Sequence, residues 1–228
     1  MDDIQQNVRE ILARLREYEI KYQRQPGSVQ LLAVTKNQSL EKMQQAIAAG
    51  QRAFGENYLQ EALLKIAALK NQPLAWHFIG HIQSNKTQKI SENFSWVHSV
   101  SEKKIAKRLN DQRPPALPPL NICIEVNISH EKTKSGIDVT EAAELAEYCL
   151  TLPRLKLRGL MTIPAPQQEF AAQRAAYHQL RILWQQLCDL GMALDTLSMG
   201  MSNDMEAAVA EGATIVRIGT SLFGKRTI

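Results

Sequence analysis

The stretch that decides the fold is 31–55, LLAVTKNQSLEKMQQAIAAGQRAFG. A short apolar run, LLAVT (31–35), is followed by a helix-period segment that Ser39 can cap and Gly50 can close. A second apolar run, RAFG (52–55), comes directly after it. Strand, helix and strand at this spacing are typical of a βαβ unit, in which the two strands lie parallel.

The same alternation continues along the chain. Six further candidate strands are WHFIG (76–80), WVHSV (96–100), NICIEVN (121–127), LRGLMTI (157–163), TLSMG (196–200) and TIVRIG (214–219). Eight strand–helix repeats predict an α/β fold, a single (β/α)8 TIM barrel. Apolar residues at helical spacing from Ile4 to Leu15 predict one extra helix before the barrel.

The length of the chain limits the number of domains. The 228 residues have room for one barrel and little else, so residues 1–228 are predicted to be a single domain. The Pro-rich stretch 113–119 could be a linker, but the alternation continues in phase beyond it, which favours a helix-to-strand connection.

Charge, apolar runs and cysteines point to a protein of the cytoplasm. The net charge of +4 comes from basic residues interleaved with acids, and no nucleic-acid motif is present, so we expect no nucleic-acid partner. No apolar run approaches the roughly 20 residues that cross a bilayer, and no signal peptide opens the chain, so we expect no membrane partner. The 3 widely spaced cysteines favour a reducing compartment.

Reactive groups of a parallel barrel are expected at the carboxyl ends of its strands. At the end of the first strand, Leu32, Val34 and Lys36 share one face by the period of two. A lysine above an apolar barrel is partly desolvated, which favours Schiff-base chemistry with a carbonyl. The alternative interpretation is an exposed loop lysine.

The last two strands carry a second set of candidates. Arg217 lies in an apolar strand and needs a partner, either a structural ion pair or a ligand. Ser202 and the run Gly219-Thr220 follow strands seven and eight, where barrels often bind phosphate. Ser202 could instead only cap the next helix.

Other strand ends are polar but less specific. Asn57 could cap a helix and His77 could be a core histidine, or either could line a site. The loop around Lys134 is either solvated or a basic lid. No metal cluster, P-loop, GxGxxG or GxSxG motif occurs, so metal catalysis and nucleotide hydrolysis lose support.

One small molecule accounts for a Schiff-base lysine, a buried arginine and a phosphate cradle together. Pyridoxal 5′-phosphate (PLP) carries an aldehyde, a pyridine nitrogen and a phosphate. The residues therefore predict PLP as the cofactor.

The chain also resembles the pyridoxal phosphate homeostasis protein family, which shares the barrel of the alanine-racemase-like (fold type III) PLP proteins. The run WHFIGHIQSNK (76–86), closing with Ile90, is similar to the family signature. Further matching motifs, in order, are LLAVTK, FGENY, KSG (134–136), RGLMTIPAP, SMGMSNDMEAA and VRIGTSLFG. The resemblance extends from Ile4 to Phe223. One departure is Asn37, where the family pattern has Thr.

The resemblance implies a role for each of these positions. Lys36 would form the Schiff base, and Arg217 would face the pyridine nitrogen. Ser202, with the backbone of Met201, Gly219 and Thr220, would hold the phosphate, and Asn57 and His77 would line the ring side. The sequence does not decide whether Lys134 is a second PLP-reactive site.

Two function classes follow from this site. One is a PLP-binding protein that holds, buffers or delivers the cofactor, with transient contact to apo-PLP enzymes. The other is a fold type III amino-acid racemase or decarboxylase. Racemases with this barrel complete the site with a second domain of a partner subunit, and 228 residues leave no room for one. We therefore expect a PLP carrier rather than an enzyme, and a monomer.

Overall fold

The computed structural model describes residues 3–129 and 135–224, and its core is a closed parallel barrel of eight strands in the order β1 to β8. The strands are β1 (Gln30–Val34), β2 (Ala53–Glu56), β3 (Ala75–Phe78), β4 (Trp96–Val100), β5 (Leu120–Glu125), β6 (Leu155–Met161), β7 (Thr196–Ser198) and β8 (Ile215–Ile218). β1 pairs with β8 in parallel, which closes the barrel. The predicted (β/α)8 barrel is confirmed, with strand ends shifted by up to two residues.

Helices surround the barrel and connect its strands. They are α1 (Ile4–Lys21), α2 (Leu40–Ala48), α3 (Leu59–Ala68), α4 (Thr87–Asn93), α5 (Lys103–Gln112), α6 (Ala142–Leu150), α7 (Phe170–Asp189), α8 (Met205–Ala210) and α9 (Thr220–Phe223). The extra N-terminal helix is confirmed as α1. The Pro-rich stretch 113–119 lies between α5 and β5, so it is a helix-to-strand connection.

Local signals set the ends of α2 as the sequence predicts. The Ser39 hydroxyl accepts the N–H of Lys42, which is an N-cap bond. Gly50 follows the helix with φ of 95°, a conformation that glycine adopts without steric cost.

The apolar core lies mainly between the barrel and its helices. α1 buries Ile4, Val8, Ile11 and Leu15 against the rest of this core. A smaller apolar group that includes Leu32 and Ile215 fills the interior of the barrel. No helix in the described ranges is both long and apolar enough to cross a lipid bilayer.

Candidate functional site

A cavity of about 350 Å³ opens at the carboxyl ends of the strands, where the barrel fold places ligand sites. Seven of the eight predicted site residues line it: Lys36, Asn57, Met201, Ser202, Arg217, Gly219 and Thr220. Residues far apart in the sequence therefore converge on one cavity, because parallel strands present their carboxyl ends at the same face of the barrel.

Lys36 lies two residues after the last residue of β1 and lines the cavity. Leu32 is buried in the barrel interior and Val34 lines the cavity, so the predicted shared face leads to Lys36. Lys36 is half-buried. The next residue, Asn37, has φ of 58°, a conformation that Asn tolerates and a β-branched Thr resists. Asn37 therefore suits the backbone conformation at this position.

Arg217 is buried and is held by neutral acceptors. Its Nη1 donates to the backbone oxygen of Ser198 at 2.6 Å and its Nη2 to the backbone oxygen of Thr162 at 2.8 Å. Among the described residues, no carboxylate lies within 4 Å of the guanidinium, so the structural ion pair is not formed. Burial lowers the pKa of Arg217, yet an arginine keeps its charge in a protein. Its cationic head is thus available to an acceptor in the cavity.

The loops after β7 and β8 meet at Ser202. The hydroxyl of Ser202 accepts the N–H of Ser221 at 3.3 Å, so it joins the two loops. Ser202 is not the N-cap of the next helix, because Asp204 occupies that position before α8. The N–H of Met201 donates to Asp204 Oδ1 at 2.6 Å and is already engaged. Ser202 and Thr220 each bring a hydroxyl to the cavity.

Asn57 presents a buried acceptor to the same cavity. Its Oδ1 is buried and has no hydrogen-bond partner in the described structure. It does not cap α3, which begins after Tyr58. The end of β3 packs directly on it, because a Cβ added to Gly80 would lie 2.1 Å from the backbone oxygen of Asn57. Such close contact fixes the Asn57 backbone.

His77 lies away from the cavity, in the barrel interior. Its Nδ1 is 2.9 Å from Nε2 of His98, and its ring stacks on Trp96 with ring centres 5.3 Å apart. Burial lowers the pKa of His77 to about 3, so the ring is neutral at pH 7. These surroundings are those of a core histidine, and His77 is not among the residues that line the cavity. Lys134 lies outside the described residues.

Three polar residues near the site were not singled out in the sequence. Asp204 lines the cavity and fixes the loop after β7. Glu56 and Lys65 form a buried ion pair at 2.8 Å beside β1. The apolar residues of α3, at helical spacing, predict a buried face made of Leu59, Leu63, Ile66 and Leu69. Lys65 is not part of that pattern, and a lysine is almost never fully buried unless it is paired, so its burial was not expected. The one hint in the sequence was Glu56, a carboxylate at the end of β2 that needs a cationic partner when it is buried.

Comparison with known proteins places this chain in a family. The model of the alanine racemase N-terminal domain family matches residues 2–227. An alanine racemase of Corynebacterium glutamicum is 18% identical with a TM-score of 0.73, and the match covers 99% of this chain and 61% of that chain. At this identity the likeness shows a shared fold. The class of protein is therefore an alanine-racemase-like barrel.

Nearer relatives define the family more finely. The pyridoxal phosphate homeostasis proteins of Pseudomonas aeruginosa and Vibrio cholerae are 56% and 50% identical, over 99% of this chain and 97% and 98% of those proteins. The structure of PipY from Synechococcus elongatus with PLP bound is 38% identical with a TM-score of 0.81, covering 92% of this chain and 100% of that one. The chain belongs to the pyridoxal phosphate homeostasis protein family.

Proposed function

We propose that this protein binds PLP in the cavity as a Schiff base to Lys36, and that it holds, buffers and delivers the cofactor within the cell. The observation that carries the proposal is the convergence of Lys36, Arg217 and the two loop hydroxyls on one cavity. The names of the relatives support the same function.

The polar groups of the cavity fit the functional groups of PLP. The half-buried Lys36 offers an amine, and the loops after β7 and β8 offer hydroxyls from Ser202 and Thr220. The buried Asn57 Oδ1 has no partner among the described residues and can accept a bond from a bound ligand. A buried polar atom left without a partner costs roughly 1–3 kcal/mol, which a ligand donor can recover.

When bound, PLP supplies an aldehyde that condenses with an amine. The Lys36 amine attacks that carbon, a C=N bond forms, and the former carbonyl oxygen leaves as water, so no oxidant or reductant is needed. Arg217 faces the ring nitrogen in this proposal, and its fixed positive charge disfavours a proton there. An unprotonated ring is a weak electron sink, which suits storage better than turnover.

The groups around the cavity favour a carrier over an enzyme. Racemisation needs an acid–base group on each face of the substrate carbon. Among the described lining residues, only Lys36, Asp204 and Arg217 are ionisable. Asp204 is engaged by the N–H of Met201, and Arg217 keeps its charge. In this set Asp204, which already accepts the Met201 N–H, is the one group besides Lys36 that could act as acid or base, which favours the carrier over a racemase. The alternative function is a fold type III racemase or decarboxylase.

We also propose a cytoplasmic monomer that meets apo-PLP enzymes transiently. Cys123 and Cys149 are buried free thiols, which suits a reducing compartment. The seven cavity residues come from one chain, so the site does not need a second copy. Sedimentation of the purified protein is expected to give the mass of one chain.

The test of PLP binding is the visible spectrum of the protein mixed with PLP, before and after borohydride reduction. We expect an imine band that borohydride removes and a mass increase that maps to Lys36. Lys36→Ala is expected to lose both. Lys103→Ala, which removes an exposed lysine on α5, is the matched control and is expected to keep them. A borohydride-reducible band that survives in Lys36→Ala would overturn the lysine assignment.

Delivery is tested by mixing the PLP-loaded protein with an apo-PLP enzyme. Reactivation faster than the release of PLP into solution supports direct transfer. Racemisation or decarboxylation of an amino acid that Lys36→Ala abolishes would instead support the enzyme alternative.

A further inference from the structure

A buried ionic cluster lies outside the cavity, between the barrel and α3. We call Lys65, Glu56, Glu61 and Thr35 the α3 cluster. The ammonium of Lys65 is 2.8 Å from Glu56 Oε1 and 2.6 Å from Glu61 Oε1. The side chains of Lys65 and Glu56 are 5% and 0% exposed.

A gain in folding stability does not by itself explain why the α3 cluster is buried. Taking an ammonium and a carboxylate out of water costs several kcal/mol for each ion, and apolar replacements of similar volume are often equally stable. Burial raises the pKa of Glu56, and its Oε2 has no partner among the described residues, so desolvation is only partly offset. Buried ionic groups of this kind specify a geometry in some proteins.

The geometry that the cluster fixes is the backbone on both sides of Lys36. Before Lys36, the carbonyl oxygen of Thr35 accepts a bond from Lys65 Nζ at 2.6 Å, and the Thr35 hydroxyl donates to Glu56 Oε1 at 2.6 Å. After Lys36, the N–H of Asn37 donates to Glu61 Oε1 at 2.8 Å.

A single ammonium links these contacts. Lys65 bonds both carboxylates, and they in turn bond residues 35 and 37. Asn37 has a left-handed backbone, which asparagine adopts more readily than most residues but which surrounding contacts still help to hold. The cluster supplies such a contact at the residue that follows Lys36.

We propose that Lys65 is a positioning residue, which acts through Glu56 and Glu61 to hold the Lys36 backbone so that the amine reaches the PLP aldehyde. The proposal rests on the Schiff base at Lys36 proposed above. Misplacement of a reacting group by about 1 Å can slow a reaction roughly 100-fold. Lys65 touches neither cofactor nor cavity in this proposal.

The test compares two ligands that differ only at the reacting carbon. PLP has the aldehyde, whereas pyridoxine 5′-phosphate has an alcohol there and cannot form a Schiff base. For Lys65→Met, we expect the rate of Schiff-base formation with PLP to fall by about 10- to 100-fold. The dissociation constant for pyridoxine 5′-phosphate is expected to stay within about threefold of the wild-type value.

A control variant separates positioning from general loss of stability. Arg16→Met removes the cation beside another fully buried carboxylate, Glu19, which holds backbone N–H groups far from the cavity. We expect it to lower the melting temperature without slowing Schiff-base formation. Glu61→Ala removes the acceptor of the Asn37 N–H together with one of the two carboxylates that Lys65 bonds, but leaves the Glu56–Lys65 pair in place. The Glu61 side chain is partly exposed, so this variant serves if Lys65→Met does not fold. Its expected effect is about 3- to 10-fold on the same rate.

Each outcome decides the proposal. An unchanged rate in a folded Lys65→Met or Glu61→Ala overturns the positioning role and leaves the Schiff base at Lys36 intact. Equal losses for both ligands, together with a lower melting temperature, overturn it in favour of a purely structural role. If the wild-type protein forms no Schiff base at Lys36, the proposed function fails and this inference fails with it.

Discussion

The guanidinium of Arg217 donates from Nη1 to both the backbone oxygen and the hydroxyl of Ser198, at 2.6 Å and 2.8 Å. The same hydroxyl lies 2.8 Å from Nδ1 of His98, and His98 Nε2 lies 2.9 Å from His77 Nδ1. A chain of hydrogen bonds therefore runs from the cavity into the barrel interior, and it holds the arginine that faces the proposed cofactor ring.

Removing the shared hydroxyl should destabilise the barrel. Ser198→Ala leaves a guanidinium N–H and a His98 ring nitrogen with one partner fewer in a buried place. We expect the free energy of unfolding to fall by about 1–3 kcal/mol, measured by urea denaturation. Thr151→Ala, which removes an exposed hydroxyl bonded to the Tyr148 carbonyl, is the control and is expected to change it by less than about 0.5 kcal/mol. An equal effect in both variants would contradict the prediction.

The two buried histidines should make the protein less stable in mild acid. Burial lowers the pKa of His77 to about 3 and also lowers that of His98, against an unfolded value near 6.5. Below pH 6.5 the unfolded chain binds these protons and the folded protein does not, so stability falls as the pH falls. Each histidine contributes up to about 1.4 kcal/mol per pH unit.

Glu125 opposes this trend over part of the same range. Burial raises its pKa to about 7, so between about pH 4.5 and 7 the folded state binds its proton and the unfolded state does not. Two histidines against the Glu125 carboxyl leave a net loss of about 1 kcal/mol in total between pH 7.5 and 5.5, and the raised pKa of Glu56 reduces it further. Urea unfolding at pH 7.5 and 5.5 measures it. Between these two pH values His77→Gln should lose about 1.4 kcal/mol less stability than the wild type does, and an unchanged pH dependence would refute the assignment.

The loop hydroxyls should matter for the phosphate and not for the ring. We expect Ser202→Ala combined with Thr220→Ala to weaken PLP binding by about 10- to 100-fold, since each hydrogen bond to a charged group contributes roughly 1.5–3 kcal/mol and other donors can compensate in part. Pyridoxal, which lacks the phosphate, serves as the control ligand. Its affinity should be unchanged, and equal losses for both ligands would argue against the cradle.

Gly80 should be intolerant of any side chain. In Gly80→Ala the new Cβ would lie 2.1 Å from the Asn57 backbone oxygen, so β3 or the cavity residue Asn57 must move. Overpacking of this kind typically costs about 1–3 kcal/mol, and a backbone neighbour puts this case at the upper end.

Gly50→Ala provides the comparison for that prediction. Nothing lies within 4 Å of the added Cβ, and only the positive φ resists it, so the expected cost is about 1–2 kcal/mol. Gly80→Ala should also weaken PLP binding, whereas Gly50→Ala should not. Thermal unfolding and PLP titration measure the two effects, and similar results in both variants would contradict the clash at Asn57.

The sequence alone was sufficient to predict the barrel and the end of the barrel at which the candidate site would lie. Each strand and each helix can be recognised from the apolar pattern of its own short segment, so the alternation is visible in the sequence. Parallel strands must then end at a common face of the barrel. For that reason Lys36, Arg217, Ser202 and Thr220 could be assigned to one site from their places after the strands. The ends of α2 at Ser39 and Gly50 could also be predicted from the sequence, because capping depends on residues that are close together in the chain.

The tertiary structure alone decided which polar groups meet. His77 could line the site or lie in the core, and its partner His98 is on the next strand, while the Ser198 that continues the chain is 100 residues beyond His98. Lys65 lies on a helix face that the apolar spacing leaves out, and its burial is stabilised by Glu56 at the end of β2, by Glu61 and by the Thr35 carbonyl. Periodicity reports which face of an element is apolar, whereas the burial of a charge depends on a partner that the sequence does not place.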